Sequence, residues 1–259
     1  MTELESEAME AEFDTVAGWT EEAVRALGPE YAIPAGCRGT GSQAGLRWLA
    51  DRLGLAPGTR MVDSGAGIGG PAAWVAAEQG ARPVCAEPMA AAVRASRRLF
   101  ALPSVVALGQ QLPFPDRSFD AAWCLGVLCT TSDKAGVLAE LRRVLRPGGR
   151  LGLLVFVAEG HLTPPLPDGN EFPTEDELLG LLRDAGFALE DSAEADLGDS
   201  PQEWTERADA VDAEVERRHG DDPAFRQARE NARRVGRLLS AGELRTWLGV
   251  ATATAQSGD

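Results

Sequence analysis

The feature that most constrains this chain is a glycine-rich segment that follows a short apolar run. Met61 and Val62 are apolar, Asp63 comes next, and four glycines fall within the six residues 65–70, before Pro71. Glycine accepts positive φ angles and lets a ligand approach the backbone closely, while proline suits the first turn of a helix. The segment therefore predicts a strand that turns sharply into a helix, whose free N–H groups attract a negatively charged ligand group.

The glycine pattern alone leaves the ligand open. Gly65, Gly67 and Gly70 also satisfy the G-x-G-x-x-G pattern of dinucleotide sites, in which an acidic residue about 20 positions further on holds a ribose. Glu87 fits this position, because it ends the next apolar run at 83–86. A tight turn without a ligand is a third interpretation, and the position of Glu87 at the predicted end of a second parallel strand argues against it.

The order of predicted elements indicates an α/β fold. The predicted strands are 60–63, 83–87, 105–108, 121–125, 150–157, 188–197 and 244–254. The predicted helices are 3–27 (one or two helices), 42–53, 71–79, 89–100, 133–145, 174–184, 201–218 and 223–240. Strands without polar alternation, separated by helices, are typical of a parallel sheet that is covered on both faces.

Turn and capping signals mark the boundaries between these elements. Two Ser/Thr-x-x-Glu segments, which begin at Thr174 and Ser200, fit the capping-box pattern that opens a helix. Ser42 is a predicted N-cap. Residues 29–41 are rich in Gly and Pro and predict a loop, and residues 255–259 predict a disordered tail.

Composition and charge exclude several classes of partner. The chain has 259 residues, of which 25 are basic and 40 acidic, so its net charge is −15. Nucleic acids and anionic membrane surfaces are bound mainly through Lys and Arg, so neither is an expected partner. No apolar run approaches the roughly 20 residues of a membrane span, and the acidic N-terminal segment does not fit a signal peptide. The four cysteines lack metal-type spacing, so we expect no metal site and a cytoplasmic protein with reduced thiols.

Two further motifs follow the glycine segment in order. Residues 112–120 read LPFPDRSFD, and residues 141–149 read LRRVLRPGG. With the glycine segment and Glu87, this series resembles that of the class I S-adenosylmethionine-dependent methyltransferases, over residues 42–158 and more weakly over 174–197. Dinucleotide dehydrogenases are not expected to carry the last two motifs, so the resemblance favours S-adenosylmethionine as the cofactor.

The resemblance implies a Rossmann-like sheet of seven mostly parallel strands, with the last strand antiparallel and helices on both faces. We predict a cofactor-binding domain of residues 42–199 and 241–254, an N-terminal helical cap segment of residues 1–41, and a helical cap insertion of residues 200–240. Because sites in open α/β sheets lie at the carboxyl ends of the strands, we expect the cap to set substrate selectivity.

The resemblance also implies roles for individual residues. Glu87 would accept both ribose hydroxyls, Asp63 would meet the ammonium group, and Cys124 would line the methionine side. Arg38 is a candidate partner of the methionine carboxylate or of an anionic group of the substrate. The other predicted cofactor contacts are Gly65, Ala66, Gly67, Gly69, Pro88, Met89, Gln110, Gln111 and Leu112. Plainer interpretations stay open: a turn residue for Asp63, surface residues for Glu87 and Arg38, and a buried strand end for Cys124.

The adenine side departs from the family pattern. Relatives often carry an aspartate where Leu108 stands in this chain, so a carboxylate contact to the adenine amino group is missing. Gln110, or a backbone carbonyl nearby, is the expected substitute.

The predicted function is S-adenosylmethionine-dependent methyl transfer to a small-molecule acceptor, such as a secondary metabolite, with S-adenosylhomocysteine as product. His161, in the predicted loop after the fifth strand, is a hypothetical general base or substrate anchor, and a plain loop histidine is the alternative. Two other functions stay open: a cyclase, decarboxylase or isomerase that retains the cofactor, and a non-catalytic cofactor-binding partner subunit. The methylated atom and the oligomeric state are not predicted.

Overall fold

A single sheet organises the chain. The computed structural model describes residues 3–38, 42–195 and 200–254, with side chains from residue 12 onward. Within these residues the sheet has seven strands in the order β3-β2-β1-β4-β5-β7-β6. The strands are Arg60–Ser64 (β1), Arg82–Glu87 (β2), Ser104–Val106 (β3), Phe119–Leu125 (β4), Leu145–Ala158 (β5), Phe187–Glu194 (β6) and Leu244–Ala253 (β7).

Helices surround this sheet. They are Glu3–Leu27 (α1), Ala32–Gly36 (α2), Gln43–Leu53 (α3), Gly70–Gln79 (α4), Ala90–Phe100 (α5), Lys134–Val144 (α6), Glu175–Asp184 (α7), Gln202–His219 (α8) and Pro223–Ser240 (α9). In the part of the chain that the structure describes, no helix is both long and apolar enough to cross a membrane.

The strand directions confirm the predicted fold class. Strands β1 to β5 pair in parallel, and β7 runs antiparallel between β5 and β6. Successive side chains of a strand point to opposite faces, so neighbouring residues enter different cores. Val62 packs with α6 residues such as Leu138, whereas Met61 packs with α3 residues such as Leu49. The sheet is therefore buried on both faces, as its unbroken apolar runs indicate.

Two of the predicted helix starts are confirmed by their caps. The Ser42 hydroxyl accepts a hydrogen bond from the Gly45 N–H at 3.1 Å. Thr174 and Glu177 form a complete capping box at the start of α7, each side chain accepting from the backbone of the other residue. These caps satisfy N–H groups that have no partner within the helix.

Two local predictions are wrong. Ser200 does not open a capping box, because its hydroxyl accepts from the Gln43 N–H at 3.1 Å, and Pro201 stands at the N-cap of α8 without a side-chain bond. The predicted loop at 29–41 contains a short 3-10 turn, Pro29–Tyr31, and then α2. Pro34 is compatible with α2 because it lies in the first turn, where a backbone nitrogen needs no partner within the helix. The helix α2 is stabilised by packing on α4, which no local sequence signal reveals.

Four helices, α1, α2, α8 and α9, pack together over the carboxyl ends of the strands. Helices α1 and α2 meet α8 and α9 around a small apolar cluster: Ala23, Val24, Ala32, Ala35, Val211, Val215 and Phe225. The division into a cofactor-binding domain and a cap remains a prediction. The predicted tail at 255–259, and residues 39–41 and 196–199 of the predicted segments, lie outside the described residues.

Candidate active site

A bend of three left-handed glycines follows β1. Gly65, Gly67 and Gly69 have φ angles of 74°, 53° and 87°, which side chains other than glycine rarely adopt. A Cβ atom on Gly65 would lie 2.2 Å from a methyl group of Val127, whereas a Cβ on Gly67 would meet nothing within 4 Å. The bend is therefore packed against the protein at Gly65 and open at Gly67. Ala66, also in the bend, donates its N–H to the carbonyl of Ala86 at 3.3 Å.

The start of α4 is covered by α2. A Cβ atom on Gly70 would lie 2.2 Å from the carbonyl carbon of Gly36, so both positions must be glycine for the two helices to cross this closely. The covering helix ends next to Cys37, which is buried and close enough to Asp63 for that charge to raise the pKa of the thiol, after burial as the main cause.

Glu87 lies at the end of β2 and is 2% exposed. One carboxylate oxygen accepts the Gly67 N–H at 2.8 Å, and the other accepts the Met89 N–H at 3.1 Å. The carboxylate thereby joins the glycine bend to the start of α5. Pro88 and Met89 lie beside it and are half-buried.

Asp63 is buried at the end of β1, with 2% exposure. Burial raises the pKa of its carboxyl to about 7; the Trp123 indole opposes this rise, and the charge of Glu87 adds to it. Among the residues that the structure describes, no group forms a hydrogen bond of normal geometry with Asp63 Oδ2, and the Trp123 N–H also lacks one. A buried carboxylate in this state gains stability from a cation or a donor that binds beside it.

The end of β4 forms the other wall. Cys124 is fully buried, and burial followed by the charge of Asp63 raises the pKa of its thiol well above the ordinary value. Gly126 follows with a φ of 75°, and its carbonyl accepts from the Cys129 thiol at 3.3 Å. A thiol with a raised pKa is not a nucleophile at neutral pH, so Cys124 contributes shape and apolar contact to this wall.

The segment predicted to meet adenine runs beside β1. A Cβ atom on Gly109 would lie 3.4 Å from the Ser64 hydroxyl, which places this segment next to the glycine bend. The Gln110 side chain donates to the Thr131 hydroxyl at 3.0 Å, Gln111 is exposed, and Leu112 is buried. The structure thus brings the predicted cofactor residues from 63 to 124 to one edge of the sheet, and their contacts to a ligand remain predictions.

Two predicted residues make contacts elsewhere. Arg38 forms ion pairs with Asp209 at 2.8 Å and with Asp212 at 2.9 Å, both on α8. His161 is exposed on the loop after β5, close enough to Glu243 to contribute to the lowered pKa of that carboxyl, which the bonds from Thr163 lower most. Neither residue contacts the glycine bend through a described hydrogen bond, and both roles remain predictions.

The loop 159–173 is held against α9 by side chains from one face of that helix. The spacing of three residues places residues 231, 234 and 237 on the same face. The contacts are Asn231 with the Asp168 N–H (3.1 Å), Arg234 with the Leu166 carbonyl (3.0 Å), and Arg237 with the carbonyls of Thr163 (2.8 Å) and Pro165 (2.7 Å). Loop and helix therefore form one layer over the carboxyl end of β5.

Helix α1 joins this layer to the cofactor side, by which we mean the glycine bend, Asp63, Glu87 and the start of α5, and the sequence did not predict this connection. Asp14 accepts the Ala91 N–H at 2.6 Å, at the start of α5. Glu12 faces α9, where it accepts from Asn231 at 3.4 Å; burial and the charge of Asp168 raise its pKa to about 6 against the lowering effect of that bond. These pairs join residues up to 219 positions apart, so no local pattern signals them.

Comparison with known proteins agrees with this geometry. Residues 62–153 match a family model described as a methyltransferase domain. Methyltransferase GfsG of Streptomyces halstedii is 35% identical over 121 residues, which cover 44% of this chain and 44% of that protein. Sterol 24-C-methyltransferase ERG6B of Gibberella zeae is 30% identical over 180 residues, which cover 61% of this chain and 47% of that protein. The chain thus matches less than half the length of these curated relatives.

A solved structure matches more of the chain. The crystal structure of the 4+2 cyclase SpnF superimposes with a TM-score of 0.64 and 25% identity, covering 82% of this chain and 81% of that one. The segment matched by the family model contains the glycine bend, Glu87 and both downstream motifs. Residues 62–153 are therefore similar in sequence to a methyltransferase domain, and the described fold is similar to that of this cyclase.

Proposed function

We propose that this protein transfers a methyl group from S-adenosylmethionine to a small-molecule acceptor. The observation that carries the proposal is the Glu87 carboxylate, which is buried at the end of β2 and bonded to the open glycine bend at Gly67. A carboxylate has two acceptor oxygens and can accept both hydroxyls of a ribose. The match of residues 62–153 to a methyltransferase domain supports the same cofactor.

The residues present fit this cofactor. Asp63 Oδ2 is buried without a hydrogen-bond partner among the described groups, as a carboxylate that receives an ammonium group would be. The side of Gly67 that a Cβ would occupy is open, and Gly65 and Ala66 keep the bend in place through the Ala86 carbonyl. The bound cofactor supplies an electrophilic methyl group on a sulfonium ion.

The chain's own residues bind the cofactor and orient its methyl group toward the acceptor. Glu87 holds the ribose hydroxyls, Asp63 balances the ammonium charge, and Pro88 and Met89 give adenine an apolar face. Cys124 and Gly126 line the methionine side. The leaving group of the displacement is neutral, so holding acceptor and methyl in line supplies much of the rate.

We infer that the acceptor binds under the layer formed by α1, α2, α8, α9 and the loop 159–173. Sites in open α/β sheets lie at the carboxyl ends of the strands, where this layer lies. The named relatives include a sterol C-methyltransferase and a cyclase, so they support a small-molecule acceptor without fixing the methylated atom. The acidic net charge supports an acceptor that is not a nucleic acid, and four buried cysteines suit a reducing cytoplasmic setting.

Product analysis tests the methyl transfer. The purified protein is incubated with S-adenosylmethionine and a panel of acceptors that carry hydroxyl, amine and activated carbon nucleophiles. We expect release of S-adenosylhomocysteine with an acceptor that gains one CH₂ in mass. Conversion of an acceptor without S-adenosylhomocysteine release would support the cyclase, decarboxylase or isomerase alternative, and no turnover together with a co-purifying protein would support a partner subunit.

His161 is our candidate for a general base or substrate anchor. It lies on the loop over the carboxyl end of β5, and one positioned base typically contributes about 100-fold or more to the rate. We expect His161→Ala to lower kcat by about that factor without changing the affinity for S-adenosylhomocysteine. Full turnover by this variant would rule out the role. Arg38→Gln tests whether Arg38 leaves its acidic partners to bind the methionine carboxylate. If it does, the affinity for S-adenosylhomocysteine should fall in this variant, and an unchanged affinity would rule out the role.

A further inference from the structure

Two side chains of α6 hold the segment that precedes β4. Glu140 accepts the Leu112 N–H at 2.7 Å, and Arg143 donates to the Leu112 carbonyl at 2.9 Å. One ion pair therefore satisfies both backbone polar groups of a single residue. This residue is the first of the LPFPDRSFD motif, and both side chains stand at the start of the LRRVLRPGG motif or just before it.

The ion pair is bidentate and fully engaged. Arg143 Nε and Nη2 donate to the two oxygens of Glu140 at 2.7 Å and 2.8 Å, and Nη1 donates to the Phe114 carbonyl at 2.8 Å and to Asp116 at 2.7 Å. With the bond to Leu112, each of the five guanidinium N–H groups has an acceptor. Such fork-shaped pairs fix geometry as well as energy. The bonds from Arg143 lower the pKa of Glu140, so both groups stay charged at neutral pH.

The segment held in this way continues directly into the proposed adenine site. Gln110 is fixed at the other end by its bond to Thr131, and Leu112 is 3% exposed. The position where relatives often carry an aspartate is Leu108, which is 50% exposed in this chain. Without that carboxylate, the backbone of residues 109–111 and the amide of Gln110 must provide the polar contacts to the base. The position of this backbone then decides how well adenine is recognised.

We infer that Glu140 and Arg143 are positioning residues for adenine: they hold residues 110–112 in the conformation that reads the polar edge of the base. This inference rests on the proposed function, in which an S-adenosyl compound binds at the glycine bend. Neither residue touches the ligand. Each acts through the Leu112 peptide group.

Base selectivity distinguishes positioning from a merely structural role. S-adenosylhomocysteine and S-inosylhomocysteine differ at the base, where the adenine amino group is replaced by a carbonyl. Each is titrated calorimetrically into the full-length wild type, Arg143→Gln and Glu140→Gln. Arg146→Gln is the matched control, because Arg146 lies three residues further on and pairs with Asp120, outside the held segment. Thermal unfolding of each variant is recorded alongside.

We expect the wild type to prefer the adenine compound by about tenfold or more, since a site built to bond an N–H group rejects an analogue that lacks it. Arg143→Gln should lower the affinity for S-adenosylhomocysteine by about tenfold and the affinity for S-inosylhomocysteine much less, so that the preference for the adenine compound falls. Arg146→Gln should keep both affinities. If Arg143→Gln unfolds, the same ratio measured in Glu140→Gln decides.

Two results would overturn the inference. In the first, folded variants keep the wild-type preference, whether both affinities fall together or neither changes; this leaves the proposed function intact. In the second, the wild type binds the two compounds equally well. Failure of the wild type to bind either compound is a different outcome, because it refutes the proposed function itself and the inference with it.

Discussion

The two sides of the candidate active site are held together by different interactions. On the cofactor side, Asp63 and Glu87 are each 2% exposed, and the backbone N–H groups of Gly67 and Met89 donate to Glu87. On the cap side, exposed side chains make the contacts: Arg38 with Asp209, for example, is 42% and 67% exposed. Exposed ion pairs contribute about 0–1 kcal/mol each and weaken with salt.

This difference indicates how the two sides can vary. We expect the cofactor side to tolerate few changes, because its glycines have left-handed φ angles and its two carboxylates are buried. The cap side rests on exposed ion pairs and a small apolar cluster, so we expect its residues to vary with less effect on the fold. Substitutions matched between the two sides therefore test the comparison.

The largest effect is expected at Gly67. Its Cβ position is open within the protein but lies where the ligand is proposed to bind, so Gly67→Ala should weaken S-adenosylhomocysteine by about 10- to 100-fold. Gly58→Ala is the control, because Gly58 also has a positive φ (88°) and open space around it, in the loop before β1. Both substitutions put a Cβ on a residue with positive φ, so thermal unfolding of each variant is recorded to compare their backbone strain. Equal affinities for the two would contradict the proposed site.

The next effect is a pH dependence that originates from Asp63. Its pKa of about 7 is above the ordinary value, so the carboxylate becomes charged as pH rises from 6 to 8. The affinity for S-adenosylhomocysteine, whose ammonium group is charged throughout, should rise by about tenfold across this range, and Asp63→Asn should flatten the profile. Glu12, with a pKa near 6, titrates at the lower edge of this window, so the comparison with Asp63→Asn is needed to assign the effect to Asp63. A falling profile, or one unchanged in Asp63→Asn, would exclude the predicted role.

The free energy of unfolding should change with pH in the opposite direction to the affinity. In the ligand-free protein, folded Asp63 binds its proton more tightly than it does in the unfolded chain, so its contribution to the free energy of unfolding falls as pH rises from about 4 to 7. Asp63→Asn should therefore lose less stability than the wild type over this range. Chemical denaturation at the two pH values measures the difference.

On the cap side, Arg237→Met should release the loop 159–173 without touching the cofactor side. The two carbonyl bonds at 2.8 Å and 2.7 Å are lost. Their loss of about 1 kcal/mol should speed proteolytic cleavage within the loop by about fivefold, with no change in the affinity for S-adenosylhomocysteine. Arg233→Met, whose partner Glu230 lies on the same helix, is the control. Weakened cofactor binding in Arg237→Met would mean that the two sides are coupled.

The smallest effect is expected at Leu108. Leu108→Asp restores the carboxylate that relatives often carry, on a side chain that is already 50% exposed. Because the proposed contacts of residues 109–111 to the base do not depend on it, we expect S-adenosylhomocysteine to bind about two- to threefold more tightly, with little cost in stability. Weaker binding would indicate that residue 108 does not lie beside the base.

The sequence predicted the cofactor side better than the cap, for a physical reason. Asp63, the glycines and Glu87 lie at strand ends and in one tight turn, where local patterns decide the conformation. Helix α2 was missed because the contact between Gly36 and Gly70 stabilises it. The bonds of Glu140 and Arg143 to Leu112 were missed although both motifs were recognised, because a pairing 28 to 31 residues apart is set by the packing of α6. The charged side chains of α9 follow the helical period, but no local pattern identifies the loop that they hold.

Binding of S-adenosylhomocysteine to the wild type and to Glu87→Gln tests the central claim most directly. Glu78→Gln is the control, because Glu78 is an exposed acid on α4 that pairs only loosely with Arg47, at 3.6 Å. The account predicts one site in the wild type, an affinity lower by about tenfold or more in Glu87→Gln, and no change in Glu78→Gln. A wild type that takes up no S-adenosylhomocysteine, or a Glu87→Gln variant that binds it as the wild type does, would contradict the account.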